Sequence, residues 1–186
     1  AIHYLTKNEI NDSKNYLETK IDKGKDIITL ILGGPTRYYD YNNENMIQIF
    51  SKINKHLINN NLQLIVIPSN RTPKETVTFA KEYFSKNRLI IETVDKKAYL
   101  SSLALSKYLV VTCDSSSMIS EAALTGKPIY VAMIPPKKND RRFREFRSLF
   151  ESLNIIKELG DKLTFWNYEK LNETNRVALK IKELLK

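Results

Sequence analysis

Residues 27–36 read Ile27-Ile28-Thr29-Leu30-Ile31-Leu32-Gly33-Gly34-Pro35-Thr36, a continuous apolar run that ends on paired glycines. A run of this length is a strand, and a strand that is apolar without alternation is buried on both faces. The pattern returns at 62–67, 89–91, 109–112 and 129–133, with a weaker run at 163–165. Stretches of helical spacing separate these runs, at 43–58, 74–85, 97–106, 117–124 and 141–152, and another closes the chain at 171–185. A first helix over 7–20 is announced by Thr6 and Glu9, spaced as a capping box. Strands alternating with helices through short loops predict an α/β fold: a Rossmann-like, doubly wound, mostly parallel six-stranded sheet. Residues 1–186 read as a single domain, with 1–24 as a leading helix and linker. The expected strand order is 3-2-1-4-5-6, which brings the loops after the first and fourth strands to one crevice at the carboxyl edge.

The chain has 186 residues, 42% of them hydrophobic and 27% charged, the make-up of an ordinary globular domain with its own core. That excludes a disordered or fibrous chain, and no apolar run approaches the roughly 18 residues of a spanning helix. One cysteine, Cys113, excludes an internal disulfide framework and a cysteine-based zinc site, and fits a reducing, cytoplasmic setting. His3 and His56 stand far apart, so no metal site is expected. The opening Ala-Ile-His-Tyr is neither an initiator methionine nor a signal peptide, and a fragment of a longer protein is expected. The formal charge of +9 is concentrated in one segment, where Lys137, Lys138, Arg141, Arg142, Arg144 and Arg147 face only Asp140 and Glu145. Such a surface suits a phosphorylated ligand, and the segment, starting at the carboxyl edge of the sheet, is expected to face a cleft between domains or an anionic membrane, with Phe143 and Phe146 pointing inward. No zinc finger or RNA-binding aromatic motif accompanies it, so no nucleic-acid partner is expected.

Both loops at the expected crevice are rich in small and polar residues. Gly33-Gly34 lets a backbone turn sharply or lets a ligand approach the main chain, and a plain strand-to-helix turn would use the same residues. No G-x-G-x-x-G follows, so neither a dinucleotide fingerprint nor a P-loop is present. The second loop reads Asp114-Ser115-Ser116-Ser117-Met118-Ile119-Ser120-Glu121. Serine hydroxyls opening a helix, with its free amides, suit a phosphate. Glu121 can accept hydrogen bonds from sugar hydroxyls, as an acidic residue does for ribose in other doubly wound folds. Serine capping with Glu121 as a surface charge is the plainer reading of the same residues. Thr125-Gly126-Lys127-Pro128 ends this helix, Gly126 suiting a left-handed cap. Ser69-Asn70-Arg71-Thr72-Pro73 follows the second strand as a second anion contact or a capping turn, with Pro73 expected at the first helical position. Arg37-Tyr38-Tyr39-Asp40-Tyr41, just after Thr36, reads as a cover for a base or sugar, or as a half-buried loop.

Together Ile31–Pro35, Ser69–Pro73, the stretch 110–122 and Thr125–Val131 resemble the mitochondrial-fission (elongated-mitochondria) family, whose bacterial members are labelled nucleoside-diphosphate-sugar epimerases. The resemblance runs over essentially the whole chain, including Trp166-x-Tyr168-x-x-Leu171-Asn172-Glu173-Thr174, and corresponds to the C-terminal part of a family member. Asn70 stands where the family has Arg, and of an Asn-Pro-Tyr-like stretch near 95–99 only Tyr99 is present. The resemblance implies one half of a GT-B glycosyltransferase-like fold, with the N-terminal domain of the same protein as the other half. It implies a nucleotide-sugar as substrate and no metal or other cofactor. Gly33 and Gly34 would then approach the diphosphate or acceptor cleft, Ser116 and Ser117 the diphosphate, and Glu121 the ribose. The candidate site is Gly33, Gly34, Thr36, Arg37, Ser69, Arg71, Thr72, Asp114, Ser115, Ser116, Ser117, Met118, Glu121 and Lys127, with no catalytic base assigned. Two other readings stand beside it: a non-enzymatic scaffold that keeps the GT-B fold, and a nucleoside-diphosphate-sugar epimerase. The NAD-dependent form of the latter lacks its fingerprint and a Tyr-x-x-x-Lys pair.

Overall fold

Strand β1 (Asp26–Leu32) runs through the middle of a six-stranded sheet in which every neighbouring pair is parallel. The computed structural model describes residues 5–170 and 173–184. The remaining strands are β2 (Leu62–Pro68), β3 (Arg88–Ile90), β4 (Tyr108–Thr112), β5 (Ile129–Ala132) and β6 (Ile156–Glu158), in the order β3-β2-β1-β4-β5-β6. Six of the seven β1 residues are buried, as are all those of β2 and β4, because helices cover both faces. β1 pairs with β2 from Asp26↔Leu62 to Leu32↔Pro68, and with β4 from Ile28↔Tyr108 to Ile31↔Val111. The strand order therefore reverses between β1 and β4, and their carboxyl ends lie side by side.

Helices α3 (Asn43–Asn59) and α4 (Lys74–Tyr83) pack together, with Phe50, Phe79, Tyr83 and Phe84 stacked between them. α5 (Lys96–Leu105) carries α1 (Lys7–Asp12) and α2 (Asn15–Glu18), and Leu17 and Ala98 meet Ile27, Ile65 and Ile67 in a separate apolar cluster. The short α6 (Ser116–Ala122) continues into a 3-10 turn over Ala123–Thr125, which Gly126 ends in the left-handed region at φ 73°. α7 (Arg141–Ser152) packs on β6, and α8 (Glu173–Leu184) closes the described chain. Leu171 and Asn172 of the tail motif, and His3, lie outside the described residues.

Three expectations need correction. The opening stretch is two short helices rather than one over 7–20, although the capping box forms between Thr6 and Glu9. The break comes from tertiary contact: Ser101 Oγ donates to the Lys14 carbonyl (2.7 Å) and accepts from the Leu17 amide (3.1 Å). Leu17 is fully buried, so the leading segment packs as part of the domain. The sixth strand is Ile156–Glu158 rather than 163–165. Asn154, at φ 55°, turns the chain so sharply out of α7 that Ile155 and Ile156 supply only a short apolar signal. Thr164 is instead pinned through its backbone, its amide donating to the Tyr130 hydroxyl (2.7 Å), which donates to the Thr164 carbonyl (3.0 Å). Pro73 caps α4 from just outside the helix instead of occupying its first position.

The basic segment is also less exposed than its composition suggests. Arg147 is buried, where its guanidinium donates to Asp140 Oδ2 (3.0 Å) and to the Tyr39 hydroxyl (3.1 Å), and Tyr39 donates to Asp140. Burial alone would raise the Asp140 carboxyl, but the bonds from Tyr39 and Arg147 outweigh it and hold it below the usual 3.8. Lys137 pairs with Asp40, Arg141 with Glu145 and Arg144 with Asp140, which leaves Lys138 and Arg142 without an ion pair among the described residues. Phe143 packs edge-on to Tyr38 and Tyr39, and Phe146 stacks on Phe150. Because the folded state binds the Asp140 proton less readily, this stabilisation is complete above the ordinary carboxylate value and fades as pH falls below about 4. Arg147→Met should cost about 3–5 kcal/mol in urea unfolding at pH 7, because it strands a buried carboxylate. The double variant with Asp140→Asn should recover part of that loss.

Candidate functional site

At the carboxyl ends of β1 and β4 the chain builds a buried carboxylate. The Asp114 side chain has no exposed surface, yet it meets three partners. The Gly34 amide donates to Oδ2 (3.0 Å), Arg71 Nη2 donates to the same oxygen (2.9 Å), and the Tyr41 hydroxyl donates to Oδ1 (2.5 Å). Arg71 Nη1 also donates to the Gly34 carbonyl (3.0 Å), and the Gly33 amide donates to Thr112 Oγ1 (2.8 Å). Burial, and then the Asp114 charge, raise the Tyr41 hydroxyl well above its ordinary value, which keeps it a neutral donor.

This arrangement explains the paired glycines. A Cβ on Gly33 would stand 2.1 Å from Asp114 Oδ2, and one on Gly34 would stand 2.1 Å from the Arg71 carbonyl oxygen. Both amides are engaged by the protein itself. The glycines make room for the approach of the β4 loop and the β2 loop, which is a different service from either of the two expected of them. Ser69 and Thr72 also face inward, donating to the Gly33 carbonyl at 2.9 and 2.5 Å. Thr36 closes its own turn by accepting the amides of Tyr38 and Tyr39, and exposed Arg37 lies over the Tyr38 ring at 4.7 Å.

Two cavities adjoin this frame on either side of α6. The first, about 380 Å³, is lined by Arg71, Ser115, Ser116, Ser117, Arg142 and Phe146, among others. Ser115 stands at the N-cap position but makes no capping bond with its side chain. The hydroxyls of all three serines have no protein partner among the described residues, so they are available to a ligand. Arg71 is held by Asp114 while 43% of its side chain remains exposed, and Arg142 extends from the first turn of α7. The second cavity, about 210 Å³, is lined by Ser69, Asn70, Val94, Tyr99, Met118 and Glu121, among others. There the Tyr99 hydroxyl donates to Glu121 Oε2 at 2.6 Å. Eight of the fourteen residues expected at the site line these cavities, namely Ser69, Arg71, Asp114, Ser115, Ser116, Ser117, Met118 and Glu121, while Gly33, Gly34 and Thr72 belong to the frame beside them and Thr36 and Arg37 are engaged within their own loop.

Lys127 does not belong with them. It precedes β5 and so stands at the amino edge, where Nζ donates to the Leu103 and Ala104 carbonyls at the end of α5 (2.8 and 2.5 Å). Burial, and then Lys14 and Lys170, push its ammonium down to about 8. An ammonium capping a helix C-terminus is the physical role of this lysine. His56 is likewise remote, its Nε2 lying 2.8 Å from the Gly160 carbonyl. Burial pushes the Cys113 thiol up to about 11, and its sulfur accepts the Ile134 amide at 3.3 Å. Among the described residues no three His, Cys, Asp or Glu side chains gather as a metal site, and no helix is long and apolar enough to cross a membrane.

Within the basic segment neither Arg142 nor Phe146 was singled out as lining the crevice, and the donor role of Tyr99 was not foreseen. Arg142 was one of six basic residues in a row. Its spacing of one turn from Phe146 could have marked a shared helix face.

The fold defines a Rossmann-like, doubly wound α/β domain. Residues 1–185 match the family described as Mitochondrial fission ELM1, and the chain belongs to that family. It is 30% identical over 169 residues to the uncharacterized protein RP120 of Rickettsia prowazekii, covering 87% of this chain and 48% of that protein. It is 34% identical over 90 residues to the mitochondrial fission protein ELM1 of Arabidopsis thaliana, covering 47% of this chain and 21% of that protein. The chain thus spans about half the length of the first relative and about a fifth of the second. Among solved structures it is similar to a UDP-GlcNAc 2-epimerase from Neisseria meningitidis bound to UDP-GlcNAc, at 14% identity and a TM-score of 0.52, covering 95% of this chain and 43% of that one. The UDP-GlcNAc 2-epimerase of Methanocaldococcus jannaschii is similar at 16% identity and 0.52, covering 92% and 48%. At these identities the likeness is one of fold.

The packing around the glycines is open to direct measurement. Gly34→Ala should lower the unfolding free energy by about 1–3 kcal/mol, because backbone rather than a flexible side chain must move. Urea denaturation reads this without any ligand, and unchanged stability would return the glycines to a ligand-facing role.

Proposed function

We propose that this chain is the nucleotide-sugar-binding half of a GT-B-type, glycosyltransferase-like protein. The observation that carries the reading is the pair of cavities flanking α6, whose chemistries match the two ends of a nucleoside diphosphate. The larger offers two guanidiniums and three unengaged serine hydroxyls, a set suited to a diphosphate. The smaller offers apolar Val94 and Met118 beside the Glu121 carboxylate, a set suited to a base and its sugar. Arg71 and Arg142 would offset the diphosphate charge by themselves, so the reading calls for no metal ion. The names of the solved neighbours mention UDP-GlcNAc, which makes a UDP-sugar the first ligand to try. The partner domain would be the N-terminal half of the same protein. A peripheral contact with an anionic membrane through Lys138 and its neighbours is a secondary proposal.

A binding role without turnover by this chain has one observation in its favour. Asp114, the carboxylate at the centre of the crevice, is fully engaged by Gly34, Tyr41 and Arg71 and has no capacity to act as a general base. A base and the acceptor would come from elsewhere, as closure of a two-domain cleft would supply. Calorimetric titration with UDP tests the reading. Arg142→Ala should weaken UDP by about 5- to 20-fold and flatten its salt dependence, with UMP affected less. Equal UDP affinity in both proteins would remove the diphosphate from this cavity. Donor hydrolysis by this chain alone should stay at background, and a clear rate would place the chemistry in residues assigned here to binding.

A further inference from the structure

We infer that Tyr99 is a positioning residue that aims Glu121 at the vicinal hydroxyls of a ribose, so that the site prefers ribonucleotides to 2′-deoxyribonucleotides. The inference rests on the nucleotide reading above, in which Glu121 already faces the sugar, and adds the residue that aims that carboxylate. Tyr99 lies in the first turn of α5, and that turn is fixed from two sides. Asp95 Oδ1 accepts the Ala98 amide (3.0 Å), its Oδ2 accepts the Tyr16 hydroxyl (2.7 Å), and its carbonyl accepts the Tyr99 amide (3.0 Å). From this anchored turn the Tyr99 ring reaches across to α6, and its hydroxyl donates to Glu121 Oε2 at 2.6 Å. The two side chains together form a wall between the 210 Å³ cavity and an outer depression lined by Leu5, Glu9 and Lys96.

The bond leaves Glu121 with a defined task. Oε1 has no protein partner among the described residues, and Oε2 retains a second lone pair beside the one that Tyr99 uses. A carboxylate held in one plane can accept two neighbouring hydroxyls at once. A glutamate free on a helix surface must first be ordered, and that cost is taken from affinity. Burial keeps the Tyr99 hydroxyl protonated well beyond its ordinary range, so it stays a donor and never competes as an anion. The expectation is selective: the bond matters to a ligand with both hydroxyls and not to one without a sugar.

Tyr99→Phe deletes the hydroxyl and keeps the ring, and thermal unfolding checks that the fold persists. Wild-type chain is titrated calorimetrically with uridine, guanosine and adenosine diphosphates, then with the 2′-deoxy form of the tightest. The ribonucleotide should bind more tightly than its deoxy form. Tyr99→Phe should weaken the ribonucleotide by about 3- to 10-fold and narrow that preference, the scale for one hydrogen bond to a charged group. Inorganic pyrophosphate, which has no sugar, should bind both proteins alike. An unchanged ribonucleotide affinity in Tyr99→Phe overturns the inference. So does an equal loss for ribonucleotide, deoxynucleotide and pyrophosphate, which would mark a merely structural tyrosine. If wild type binds both sugars equally, this inference falls while the nucleotide reading stands. If it binds none of the diphosphates, the nucleotide reading itself falls.

Discussion

A carboxylate with no exposed surface sits where the strand order of this sheet reverses, and the loops on either side of it are held by the hydrogen bonds it accepts. Asp114 is compensated by one guanidinium, one phenol and one backbone amide, contributed by the loops after β2 and β1. Removing a charge from water costs several kcal/mol unless such partners surround it. The bond to Arg71 leaves the remaining donors of that guanidinium turned toward the cavity. One residue therefore both compensates the buried carboxylate and lines the cavity.

The parallel sheet, its order and most of its elements could be read from the chain, because strands buried on both faces announce themselves as apolar runs whatever surrounds them. What failed were features set by distant partners. The opening helix breaks at Ser101, and the Thr164 segment is held by the Tyr130 hydroxyl instead of by strand pairing. The short β6, with Lys157 and Glu158 exposed at the sheet edge, carries too little pattern to be seen. In the candidate site, the serine loop stood out because three hydroxyls follow a buried strand directly, a pattern that capping alone would also use. Lys127 misled because adjacency in sequence to that helix placed it at the opposite end of the sheet. Arg147 misled because a basic run does not reveal which of its members turns inward to meet an aspartate.

The two cavities share α6 as their dividing wall, and the elements behind them are cross-braced. Tyr39, Asp140 and Arg147 tie the loop after β1 to α7, while Lys137 donates its amide to the Tyr38 carbonyl and its ammonium to Asp40. Arg142 is thus mounted on a helix whose foot is clamped to the same loop that carries the glycines. A site built this way presents its charged groups before any ligand arrives, which lowers the ordering cost of binding.

The contact between Gly33 and Asp114 also bears on how this sequence can change over time. A methyl group at position 33 and a carboxylate at position 114 cannot occupy the same space, since the two would meet at 2.1 Å. Alanine at 33 would force the Asp114 side chain to shift, and that shift would move the acceptor shared by Arg71 and Tyr41. A substitution at any of the four is therefore felt at the other three.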